Sequence, residues 1–140
     1  MAHSASGYRS VPHTADFRIE AWAPTRNGCI RQAVLGTVAS FLDTSSARPN
    51  HTLVRRLTAE RDDDLLVAVL DEVIYLLDTA GDAPVDVEVN GTDEKADVTF
   101  AMADASRLPQ IGAIPKAVSL NELRLARGPA SWRCSVTLDV

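Results

Sequence analysis

An α+β fold, with two helices packed on one face of a mostly antiparallel sheet as a two-layer sandwich, follows from three features of the 140-residue sequence. Strictly alternating segments stand at both ends of the chain, two helical stripes lie between them, and an Asn90-Gly91 pair marks a hairpin. The resulting order (strand, helix, strand, helix, hairpin, strands) is that of helices laid against one layer of sheet.

The first strand covers about 15–22, where Phe17, Ile19 and Ala21 alternate with Asp16, Arg18, Glu20 and Trp22. Pro24 stops it, because proline has no N–H to give to a ladder. Thr25 is the N-cap of a helix over 26–42, with Ile30, Ala33, Val34, Thr37, Val38 and Phe41 in one stripe. Gly28 and Gly36 weaken that helix, so they are read as positions of close packing. A strand over 51–60 has mixed parity and is assigned to an edge.

Asp62, Asp63 and Asp64 open a second helix over 63–77, where acids complement the helix dipole and one caps free amides. Gly81 is its left-handed stop. Val85, Val87 and Val89 form a half-buried strand, and 95–102 is its hairpin partner. Residues 103–114 show no periodicity, 115–120 read as extended, and 132–140 alternate again.

Residues 1–10 are small and polar and are expected to be a flexible tail, followed by a single domain over 11–140. No signal peptide or membrane span is seen, so the chain is expected to be cytoplasmic. Cys29 and Cys134 match no metal spacing and are expected to be buried, reduced thiols. The net charge is −5 and only Arg55-Arg56 are adjacent bases, so no basic stripe for gripping nucleic acid is evident. Any RNA would then be held through another protein.

No phosphate loop, zinc motif or nucleophile elbow is present. The acids carry more: Asp16 and Asp139 both fall on the non-core parity of strands at opposite ends of the chain. Brought together with a terminal carboxylate they would repel unless a cation held them, and oxygen donors suit a hard ion. Two unrelated surface acids remain the simpler reading of the spacing alone.

The stretch His13-Thr14-Ala15-Asp16-Phe17-Arg18-Ile19-Glu20-Ala21-Trp22 resembles the opening signature of the archease family. Leu76-Leu77-Asp78-Thr79-Ala80-Gly81, Lys116-Ala117-Val118-Ser119 and Val136-Thr137-Leu138-Asp139-Val140 extend the resemblance in order from about residue 11. It implies a non-enzymatic cofactor of the GTP-dependent RNA-splicing ligase, one that promotes guanylylation and multiple turnover in tRNA splicing or RNA repair. It also implies a divalent metal, Ca²⁺ first and Mg²⁺ or Mn²⁺ next, on Asp16, Asp139 and the main-chain oxygen of Val140.

By the same resemblance Lys116 belongs to the functional surface. It is one of two lysines against twelve arginines, and an ammonium differs chemically from a guanidinium fork. His13 is read either as a strand-entry residue or as a second-layer group orienting Asp16. Where the family commonly continues its lysine motif with Thr-Tyr-His, this chain has Ser119-Leu120-Asn121, and asparagine cannot titrate or ligate as imidazole does. A small metal-dependent hydrolase and a general chaperone or adaptor are the competing readings.

Overall fold

The computed structural model describes residues 5–13, 16–91 and 94–140, with the side chains of Pro12 and His13 left aside. Strands β1 (Gly7–His13), β2 (Asp16–Ala23), β7 (Trp132–Asp139) and β6 (Ala117–Arg127) form one sheet in the order β1-β2-β7-β6. Strands β3 (His51–Thr58), β5 (Lys95–Asp104) and β4 (Asp82–Asn90) form a second in the order β3-β5-β4. Every neighbouring pair is antiparallel. The two helices are α1 (Arg26–Ala39) and α2 (Asp62–Ala80).

The α+β class and the antiparallel pairing are as the periodicities predict. The strands nevertheless divide between two sheets, and each helix packs on strands of both: α1 on β2 and β4, α2 on β6, β4 and β3. The hydrophobic core fills this space with Ile19, Ile30, Leu66, Leu70, Phe100 and Leu138, each fully buried.

Thr25 caps α1 as expected, its hydroxyl accepting from the Gly28 amide at 3.0 Å. The helix stops at Ala39, earlier than its apolar stripe, because the Ser40 amide bonds to both Gly36 and Thr37 carbonyls and tightens the last turn. Close packing at Gly36 is real: a Cβ there would stand 2.8 Å from the Tyr8 ring. Gly81 ends α2 at φ +68°, donating to the Leu77 carbonyl. At the start of α2, Asp63 Oδ1 accepts from the Asp64 amide and from Arg61. That pairing with Arg61 holds the Asp63 carboxyl below its usual range.

Two expectations need correction. Residues 7–10, read as tail, are paired strand, held by the ladder to β2 and by Tyr8 against α1. Residues 103–104 continue β5, and β6 runs on to Arg127 past a register shift between Ser119 and Arg124. The hairpin forms, but Asn90 pairs with Asp97, so its connection is longer than a two-residue turn.

Both cysteines are free and buried. Cys134 pairs in register with Ala21, and the Cys29 thiol points at the Ala21 carbonyl at 3.6 Å. The neighbouring Cys29 thiol, together with burial, pushes Cys134 well above the ordinary thiol range. Cys134 is therefore not poised as a nucleophile.

Candidate metal-binding tip

The four strands of the larger sheet reach one end along a single rung. His13 of β1 stands opposite Asp16 of β2, Asp16 opposite Asp139 of β7, and Asp139 opposite Ala117 of β6. Lys116, one residue before that rung, donates its amide to the Asp139 carbonyl at 2.8 Å. Three motifs separated by a hundred residues therefore meet because β2 and β6 both pair with β7. The His13 side chain lies outside the described residues, so its role in orienting Asp16 is untouched by the structure.

Alternation decides which way the acids face. Ile19 and Ala21 on β2, and Val136 and Leu138 on β7, point into the core and are buried. Asp16 and Asp139 have the other parity and share the outer face. Asp16 is half-buried and its Oδ1 is fully enclosed, whereas Asp139 is exposed. Directly opposed residues on antiparallel strands have Cα atoms about 4.5–5.5 Å apart, a spacing at which like charges destabilise the pair.

The donor set fits a hard cation. Two carboxylates on one rung supply oxygens, and Val140, half-exposed just beyond the strand, supplies a main-chain carbonyl next to them. Among the described residues no three His, Cys, Asp or Glu side chains gather as a metal cluster. The fit thus rests on two side chains and main chain. A bound cation there would offset the repulsion between the two carboxylates. Lys116 is exposed beside the rung.

Sequence reading missed what covers this face. Between Ser119 and Arg124, β6 bulges out of register with β7. Glu122 takes φ +59° in that bulge and reaches across to form an ion pair with Arg18 of β2. A left-handed glutamate is uncommon, and the interrupted alternation after Ser119 is the only sequence sign of it. Leu120, in the same bulge, is 70% exposed.

The Archease protein family (MTH1598/TM1083) model matches residues 8–140. The chain belongs to the archease family. A probable protein archease from Mycobacterium tuberculosis (strain CDC 1551 / Oshkosh) is 71% identical over 137 residues, covering 98% of this chain and 76% of that one. The protein archease of Archaeoglobus fulgidus is 25% identical, covering 95% of this chain and 98% of its own length.

Among solved archease-like folds, Methanobacterium thermoautotrophicum protein 1598 superposes with a TM-score of 0.76 at 20% identity, over 96% of this chain and 99% of that one. A Thermotoga maritima structure, described as an archease and possible chaperone, gives 0.65 at 18% identity, covering 94% and 96%. These two likenesses bear on the fold. They leave the tip residues to be judged by their own chemistry. In this archease the lysine motif runs Lys116 to Ser119 and then departs into the bulge at Leu120-Asn121.

Proposed function

We propose that this archease is a non-enzymatic protein cofactor of a GTP-dependent RNA-splicing ligase, acting through a divalent cation held at the tip by Asp16, Asp139 and the Val140 main-chain oxygen. One observation carries the reading: Asp16 and Asp139, 123 positions apart, are direct cross-strand partners on an outward face. A cation held there supplies a concentrated positive charge at the edge of the molecule, able to meet phosphate or carboxylate groups of a partner. Ca²⁺ heads the candidates on the family resemblance, with Mg²⁺ and Mn²⁺ next, and all three are cations suited to oxygen donors.

The chain's own part is positional. The β2–β7 ladder fixes the spacing of the carboxylates, and the Lys116 amide ties β6 to the same rung. Lys116 then presents an ammonium beside the acids, suited to a phosphate of the ligase-bound nucleotide. At the tip, RNA is reached indirectly, through the ligase. The chaperone description given to the Thermotoga maritima protein is compatible with a partner-directed role. A general chaperone or adaptor is set apart by its keeping full activity after removal of Asp139 and Val140.

Guanylylation of a matched ligase, followed over many turnovers with GTP and Ca²⁺, Mg²⁺ or Mn²⁺, tests the proposal. Stimulation by the wild-type chain and its loss in Asp16→Asn and Asp139→Asn are expected, with Lys116→Met weakened. Equal stimulation by all variants would remove the tip from the mechanism. Phosphatase or nuclease turnover by the chain alone would favour the hydrolase instead.

A further inference from the structure

The outer face of the β1-β2-β7-β6 sheet is electrically polarised. Asp16 and Asp139 mark one end. In the middle, Arg9 pairs with Glu20 and Arg18 with Glu122, so those acids are already matched. At the far end Trp22 stands opposite Arg133, and two rungs nearer the tip Ser135 stands opposite Arg124. Arg124, Arg127 and Arg133 are exposed, and no acid among the described residues pairs with them.

These three arginines line one groove of about 390 Å³ together with Trp22 and Glu20, whose carboxylate is held by Arg9. The indole is half-buried and rests against Gly7, where a Cβ would lie 2.6 Å from Cζ2. Main chain behind the ring holds it at the groove wall. Neighbouring strands are about 4.8 Å apart, so Trp22 and Arg133 are within reach of one ligand unit.

We infer that this end of the outer face binds single-stranded nucleic acid, its phosphodiester backbone on Arg124 and Arg133, which share the outer parity with Trp22, and a base on Trp22. Planar guanidinium forks match phosphate oxygens in pairs, and an indole accepts any base on its π-face. An acidic peptide would satisfy the arginines but give the indole no role. The three arginines are scattered over ten positions of β6, its turn and β7, which is why the linear sequence shows no basic stripe. Trp22 lies six residues from Asp16 along β2, about 20 Å at the usual strand rise. A strand held at the basic end therefore extends to the acidic tip within a few nucleotides.

Anisotropy of a short fluorescein-labelled oligouridylate, titrated with the full chain in EDTA and without any ligase, tests this independently of the cofactor reading. Two phosphate contacts on a single strand give a salt slope of roughly −1.4, so raising salt from about 50 to about 200 mM should weaken binding roughly sevenfold. Arg124→Glu/Arg133→Glu should bind at least about tenfold more weakly. Arg124→Gln/Arg133→Gln serves if the charge reversal fails to fold, a point thermal melting decides. In a Trp132→Phe background, the oligonucleotide should quench the remaining Trp22 emission.

Absence of saturable binding at about 50 mM salt, where phosphate contacts are strongest, would overturn the inference. So would affinity unchanged in the folded arginine variants, or a polyglutamate peptide binding more tightly than the oligonucleotide. Loss of ligase stimulation in Asp139→Asn with RNA binding intact would separate the two sites.

Discussion

Neutralising Asp139 should change stability in opposite directions with and without a divalent cation. In EDTA, Asp16 and Asp139 face each other across adjacent strands about 5 Å apart. Coulomb's law at that distance gives about 0.8 kcal/mol in bulk water and about 3 kcal/mol at an effective dielectric constant of 20. Asp139 is exposed, which places the pair near the watery limit, at roughly 0.5–1 kcal/mol. Asp139→Asn should therefore raise the melting temperature by about 2–4 °C in EDTA.

With Ca²⁺ at about a hundred times its dissociation constant, the wild-type chain should gain about 2.7 kcal/mol and overtake the variant. Differential scanning fluorimetry over a Ca²⁺, Mg²⁺ and Mn²⁺ series reads both arms. If Asp139→Asn lowers the melting temperature in EDTA, the carboxylates do not repel and the rung has been misjudged. If both proteins respond equally to metal, the tip does not hold it.

Gly36→Ala gains about 1 kcal/mol of helix propensity but drives a Cβ to 2.8 Å from the Tyr8 ring, so a net loss of stability is expected. In a Tyr8→Ala background the loss should shrink, with the Ile19 Cγ2 contact at 3.0 Å remaining, and urea midpoints of the four proteins check the coupling. Thr25→Ala removes the acceptor of the Gly28 amide and should cost about 1 kcal/mol in chemical denaturation, with Thr25→Ser close to wild type. Acid should also weaken the fold. The Arg61 guanidinium holds Asp63 below its ordinary value of 3.8, and Ser106 does the same for Asp104. Their stabilisation is complete above that value and is lost as pH falls through the lower folded values. The urea midpoint of Asp63→Asn should accordingly fall less steeply below about pH 4 than that of wild type, and an identical slope would refute the assignment.

Local periodicity carried most of the fold. The α1 stripe, the apolar face of α2, and the Val85–Val89 alternation each write their burial directly into the spacing of residues. Pairing was not written there. Nothing in residues 16–23 states that they will lie beside 132–139 rather than beside 51–58, so one expected sheet became two. Residues 7–10 offered too little apolar surface to register as strand, because main-chain bonds to β2 and a single tyrosine hold them.

The two aspartates were legible as outward-facing acids, and their resemblance to a family motif suggested that they meet. The ladder supplies the meeting itself. Glu122 was illegible because a bulge is a disagreement between two strands, and only one of them was in view. The arginine groove was hidden for the same reason: its members come from β2, β6 and β7.

The position of β7 also governs when this protein can exist. The most C-terminal of the described strands lies in the interior of the larger sheet, between β2 and β6. Until it emerges from the ribosome, β2 has an open edge on one side, and an open edge invites pairing with other chains. Contacts spanning more than a hundred residues also close late, because the loop entropy must be met before the ladder forms. A nascent chain stalled before residue 132 would carry both helices and most strands, yet neither the central ladder nor the second aspartate. A cation captured at the rung would then mark chains in which β2 and β7 have already paired.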